Sequence, residues 1–175
     1  MIKTNTLSVK NIERIALELR DEFNVKETEF FPIIKVLDTF FEKKLLSYQI
    51  VDNDIKLMDE SCVAIYNAKE NFIYIKKSVI EEYEHGIYRS AFTLCHELFH
   101  FIQNIALKFE FEECDKCKYY EDVDWQANEF AGQVLIPTKY LALDEETMQK
   151  MYHVSLECAL TRKAKAKKRS KKQKY

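Results

Sequence analysis

Phe92-Thr93-Leu94-Cys95-His96-Glu97-Leu98-Phe99-His100-Phe101 sets an H-E-x-x-H pattern inside an apolar segment with helical spacing. On an α-helix, residues four apart share a face, so His96 and His100 can aim their imidazoles at one point. Two neutral imidazoles, one carboxylate and a water form a common catalytic zinc shell. Glu97 lies one residue round the helix and is placed to take a proton from that water. Ala91, Phe92, Cys95, Leu98, Phe99 and Ile102 form the core stripe of the same helix, expected over 88–105. The two histidines fall at its margin, where a core helix can still show one edge to a cleft.

Outward from this stretch, the chain alternates helical and short extended patterns. Helices are expected over 6–23 and 30–46, the second with Thr28 as cap and Pro32 in its first turn. Weak strands are expected over 48–51 and 55–58. Better ones, 62–66 and 72–75, form a hairpin across Lys69-Glu70-Asn71. A short helix from Ser78 should stop at Gly86. After a poorly patterned stretch, another helix starts at Asp122 or Asp124 and ends before Pro137. Short turns over 141–153 and a last helix capped by Ser155 complete the chain.

Composition narrows the class. The 175 residues are 47% hydrophobic, which suits one domain with a real core. No apolar run is long enough to span a bilayer, and the first 20 residues are charged and amphipathic, so a cytoplasmic protein is expected. Five cysteines (Cys62, Cys95, Cys114, Cys117, Cys158) show no framework spacing and are read as reduced thiols. Cys114-x-x-Cys117 is read as a loop pair rather than half of a metal site. Nine of the 27 basic residues lie between Arg162 and Lys174, leaving 18 to face 29 acids. That tail is read as solvated, with phosphate contacts as the alternative. It lacks interleaved aromatics, which argues against a stacking surface for single strands.

Two histidines do not complete a zinc site. The candidates for the third ligand are Glu110, Glu112, Glu113, Glu121, Asp122, Asp124 and Glu129. The best context is Asp124-Trp125-Gln126-Ala127-Asn128-Glu129-Phe130-Ala131. As a helix it aligns Asp124, Ala127, Asn128 and Ala131, and its alanines permit close approach to the histidine helix. An N-cap role for Asp124 is the competing reading.

With both motifs in view, the chain resembles the ImmA/IrrE family of metallopeptidases, gluzincin-like proteins that pair H-E-x-x-H with E-x-x-A-N-x-F-A, apolar residues and Pro. The matching residues here are Asp124, Ala127, Asn128, Phe130 and Ala131, then Val134-Leu135-Ile136-Pro137, with Tyr152-His153-Val154-Ser155 and Arg162 beyond. The family's ligand glutamate falls on Asp124, one methylene shorter, and Glu121 is the reserve. The resemblance implies an α+β fold: a mostly helical zincin-like domain with a small antiparallel sheet beside the H-E-x-x-H helix. It implies one domain over 1–161, with N-terminal helices over 6–46 and a catalytic core over about 47–161, followed by the basic tail 162–175. It also implies one catalytic Zn2+ held by His96, His100 and Asp124, with Glu97 as general base. Asn128 would support a ligand, and His153 would stand near the catalytic half as an electrophile or substrate contact. The implied substrate is a helix-turn-helix repressor whose cleavage releases mobile-element or stress genes, reached along strand 72–75. The alternative is a protein that sequesters such a regulator without cutting it.

Overall fold

The protein is described from a computed structural model covering residues 1–56, 58–59 and 62–172, the last three by backbone alone. Strand β1 (Ile2–Thr4) leads into helices α1 (Val9–Glu22) and α2 (Ile33–Glu42). Strands β2 (Ser47–Val51), β3 (Ala64–Asn67) and β4 (Phe72–Lys76) follow, then α3 (Lys77–Glu84) and α4 (Ala91–Phe101). A π-turn, strand β5 (Phe111–Glu113), α5 (Val123–Leu135), α6 (Glu145–Tyr152) and α7 (Leu156–Lys172) complete the order. Among the described residues no helix is long and apolar enough to cross a membrane.

The architecture is α+β, built around the crossing of α4 and α5. Ala127 and Ala131 are fully buried, and Phe99 stacks on Phe130 with ring centroids 4.4 Å apart. Small residues bring the two backbones together, and the ring pair adds about 0.5–1.5 kcal/mol beyond its buried area. The α1 helix packs on α5 through Ile12 and Ala16, both buried. Its Arg20 reaches across to the Val134 carbonyl, 2.6 Å away, near the end of α5. The α5 helix ends at Ile136, whose extended φ −127° and ψ 97° suit a residue before proline.

One sheet has the order β2-β4-β3. Its β3–β4 hairpin is antiparallel as expected, but β2 joins β4 in parallel, so the sheet is mixed. The cause is the long connection after Val51, which lets β3 return on the far side of β4. Ile73 and Ile75 on β4 are fully buried, worth about 1.5–3 kcal/mol each. Because β4 is central, the 72–75 segment offers no free edge; the edge beside α4 belongs to β3. A second sheet pairs β1 with β5, antiparallel, and neither strand was expected.

Several local expectations change. Pro32 is itself the N-cap of α2 and no side chain caps that helix, so Thr28 does not serve. The histidine helix is straight only to Phe101, then widens into a π-turn over Ile102–Ala106. Of the expected strand 55–58, Leu57 lies outside the described residues and the remainder is irregular, with no strand. The basic segment is not a detached solvated tail. Arg162 is buried and the helix α7 runs through it to Lys172; 173–175 lie outside the described residues. Its anchor is Glu129 of α5, buried at 1% exposure. Arg169 pairs with that carboxylate through two nitrogens, at 2.9 and 2.5 Å, and Arg162 stands 3.5 Å from it.

Candidate metal centre

His96 and His100 lie one turn apart on α4, and their rings cross at 83° with centroids 4.6 Å apart. Their Nε2 atoms face each other at 2.9 Å. Asp124, in the first turn of α5, brings Oδ1 to 3.7 Å from His96 Nε2 and 3.4 Å from His100 Nε2. It is free to do so because Asp122 is the N-cap: Asp122 Oδ1 accepts the Trp125 N–H at 2.6 Å. The Asp124 side chain is 69% exposed and the two imidazoles 17%, so the cluster opens to solvent on its carboxylate side.

The donor set fits a divalent ion. Donors held roughly 2.0–2.1 Å from a tetrahedral zinc stand roughly 3.3 Å from one another. The three separations here bracket that value. The proton positions on the rings point the same way. Gln126 Nε2 donates to two backbone carbonyls, Asn5 at 2.8 Å and Tyr120 at 2.9 Å, which fixes the orientation of its amide. Its Oε1 then accepts from Gln103 Nε2 at 2.9 Å, so Gln103 turns Oε1 toward His100 Nδ1, 3.2 Å away. An amide oxygen opposite Nδ1 calls for the Nδ1–H tautomer and leaves Nε2 as a lone pair. Asn128 Oδ1 stands 3.1 Å from His96 Nδ1 in the same relation. Two lone pairs facing at that distance repel unless a proton or a cation lies between them.

Glu97 flanks the two imidazoles and reaches toward strand β3. It is nearly buried, and its Oε2 accepts the Tyr66 N–H of edge strand β3 at 2.7 Å. Burial pushes its carboxyl up, partly offset by the two imidazoles and by the Tyr66 hydrogen bond. Hydrogen bonds from His100 and then His96 hold Asp124 well below the usual carboxylate range. Burial opposes charge on His100, but Asp124 and Glu97 outweigh it and its pKa is raised. His96, Glu97 and His100 together offer donor atoms within 4.8 Å of one another. Glu97 is the less suited as ligand, since one oxygen is committed to Tyr66, whereas the Asp124 carboxylate meets only the imidazoles among the described residues.

The remaining sequence candidates separate clearly. Glu121 accepts the Lys118 N–H at 2.9 Å, within its own loop. His153 sits in a left-handed conformation, φ 51°, at the end of α6. Its ring lies between Phe30 and Tyr88, each centroid 4.5 Å away. Among the described residues it makes no hydrogen bond or ring contact with His96, His100 or Asp124. All five cysteines are free, and Cys117 Sγ lies 2.9 Å from Met1 Sδ. Hydrogen bonding to Cys114 comes first among the causes that push the Cys117 thiol up to about 11. Sequence reasoning missed Gln103, Gln126 and the Tyr66 N–H. The two glutamines did carry a signal, as polar residues at positions a helix would bury.

A cavity of about 480 Å3 adjoins the centre, lined by Thr93 of α4, Asn128 and Gly132 of α5, and Cys158 and Lys165 of α7. Asn128 is shared between this cavity and His96, so the cavity opens one side chain away from the histidine cluster.

The family model of the M78 peptidases, described as the IrrE N-terminal-like domain, matches residues 50–169. No curated protein matches the chain. Among solved structures, a Mycobacterium tuberculosis transcriptional regulator shares the fold at TM-score 0.55 and 16% identity, over 85% of this chain and 45% of that one. The chain thus spans less than half the length of that regulator.

Proposed function

We propose that this chain, which belongs to the M78 peptidases through its IrrE N-terminal-like domain, is a zinc-dependent endopeptidase. The observation that carries the reading is the trio His96 Nε2, His100 Nε2 and Asp124 Oδ1, separated by 2.9, 3.4 and 3.7 Å. The ring tautomers that Asn128 and Gln103 select support it. A divalent ion held there supplies an acidified water and a Lewis acid for a peptide carbonyl. Glu97 takes the proton of the attacking water and passes it to the leaving amine. Its raised pKa suits a group that must accept and then return a proton. Edge strand β3 gives an extended peptide a place to add as a further strand, with its side chains directed to the neighbouring cavity.

The proposed substrate is a helix-turn-helix repressor, cut in the cytoplasm to release mobile-element or stress genes. The five free cysteines agree with a reducing compartment. The competing proposal, sequestration of the regulator without cleavage, was motivated by aspartate in place of glutamate at 124. The reach of Asp124 to both imidazoles weakens that motive. The test mixes zinc-loaded protein with candidate repressors and repeats the assay with Glu97→Gln. Fragments should form with the parent protein and fall by about 10²–10⁴-fold with the variant. Equal cleavage would remove Glu97 as the base. Undiminished derepression by Glu97→Gln in cells would favour sequestration.

A further inference from the structure

The basic segment between Arg162 and Lys174 carries no aromatic residue, yet the fold supplies two from elsewhere. Tyr119, from the loop before α5, and Trp125, from its first turn, meet edge to face with centroids 4.9 Å apart. Together with Lys165, Lys168 and Arg169 they line a groove of about 330 Å3. Positions 165, 168 and 169 share one helix face. Tyr119 is 62% exposed, a large aromatic surface left uncovered.

The charges in this groove are unevenly satisfied. Arg169 is spent on Glu129. The nearby acids are also engaged: Glu121 by the Lys118 N–H, Asp122 by the Trp125 N–H. Lys165 and Lys168 have no hydrogen-bond or ion-pair partner among the described residues. Lys165 is half-buried, and burial lowers its pKa. An ammonium partly removed from water, with only the distant pull of Glu129 and no hydrogen bond of its own, leaves room for an anion beside it. The adjoining ring faces mark a place for something flat.

We propose that this groove binds single-stranded nucleic acid, a base resting on Tyr119 and Trp125 and its flanking phosphates on Lys165 and Lys168. Stacking surfaces beside a cationic track are what unpaired strands use, because every base has a π-face. A duplex hides those faces, and an acidic peptide would satisfy the lysines while leaving the aromatics bare. The groove shares Lys165 with the cavity beside the metal centre, and its binding of a strand stands whether or not the chain is a protease.

Trp125 is the chain's one tryptophan, so its emission reads the groove directly. Titration of the full chain with oligo(dT) or oligo(U) of about 15 nucleotides should quench it saturably, and either strand binding supports the site. The affinity should fall with salt at a log–log slope near −1.4, about −0.7 for each of two phosphates. Lys165→Ala with Lys168→Ala should weaken binding at least tenfold and flatten that slope. Tyr119→Ala, at an exposed position that the fold does not need, should weaken it roughly tenfold by lost stacking. Equal binding by a duplex of the same length, equal quenching by polyglutamate, or unchanged affinity in the double-lysine variant would each overturn the proposal.

Discussion

Gln103 and Gln126 form a fully buried amide pair, 2.9 Å apart, directly behind His100. Two main-chain carbonyls orient Gln126, Gln126 orients Gln103, and Gln103 faces the His100 ring. The π-turn holds Gln103 at this post, in keeping with the habit of such turns to occur at functional sites. Gln103→Met keeps the volume and removes the acceptor opposite Nδ1. Zinc affinity, measured by chelator competition, should fall about 10–100-fold while the fold survives. Unchanged affinity would show that the ring needs no such partner.

The charge pair between His100 and Asp124 makes metal-free and metal-loaded protein respond to pH in opposite directions. Asp124 is held below its unfolded value, so its stabilising share is present above roughly pH 4 and is lost as acid is added through the lowered folded value. His100 is raised, so its share is complete below roughly pH 6.5 and is lost as pH rises through its folded value. Glu97, raised by burial, acts in the same direction as His100. Metal-free protein should therefore melt lower at pH 8 than at pH 6. Zinc needs deprotonated ligands, so the added stability it confers should grow over that interval. Melting curves at both pH values, with zinc and with chelator, check the sign; Asp124→Asn should flatten the metal-free dependence.

The parts of the centre that could be read in advance are those with a period. His96 and His100 repeat at one helical turn on the margin of an apolar stripe. Asp124 and Asn128 repeat likewise on a second helix whose alanines announce close packing. Glu97 was legible from the motif, but the Tyr66 N–H that holds it was not, because a main-chain donor leaves no trace in the order of side chains. Gln103 and Gln126 show in sequence only as polar residues at positions a helix would bury, and nothing there says that they meet each other behind His100. Strands β1 and β5 are three residues each, too short for alternation to register, and every residue of β5 is exposed. The segment beyond Arg162 misleads for another reason. Its composition is that of a solvated tail, and it packs through partners on other elements: Glu129 of α5 for Arg169, and Glu145 with the Leu143 carbonyl for Lys163.

Arg162 is where that helix is fastened. Its guanidinium donates to Thr138 Oγ1 at 2.8 Å, Gln133 Oε1 at 3.2 Å and the Ile136 carbonyl at 3.3 Å. Gly132 lets it pass: a Cβ there would stand 3.2 Å from Arg162 Cδ. Arg162→Ala leaves Glu129 buried with one partner fewer, and should cost about 3 kcal/mol in urea unfolding. Arg162→Lys should recover only part, since an ammonium cannot span the same acceptors. A loss below about 1 kcal/mol would mean that α7 is held mainly by its apolar contacts.

Arg20 tests the same end of α5 from the side of α1. It is 1% exposed and is coordinated by main-chain oxygens: Val134 at 2.6 Å, Lys26 at 2.5 Å, and Glu29. Its Nε is buried without a partner, and burial lowers its pKa. The charge is therefore costly in itself, and what it returns is a donor to three carbonyls, of which only Lys26 has a second partner, the Glu29 N–H at 3.0 Å. Arg20→Ala opens a cavity and orphans the Val134 and Glu29 carbonyls, and should destabilise by about 3–5 kcal/mol. Arg20→Met fills most of the volume and removes the desolvated charge while still orphaning the carbonyls. Its loss should be smaller, about 2 kcal/mol, if packing and acceptor loss contribute separately. Equal losses in the two variants would assign the whole effect to the carbonyls. Either result would come from the same pair of denaturant curves.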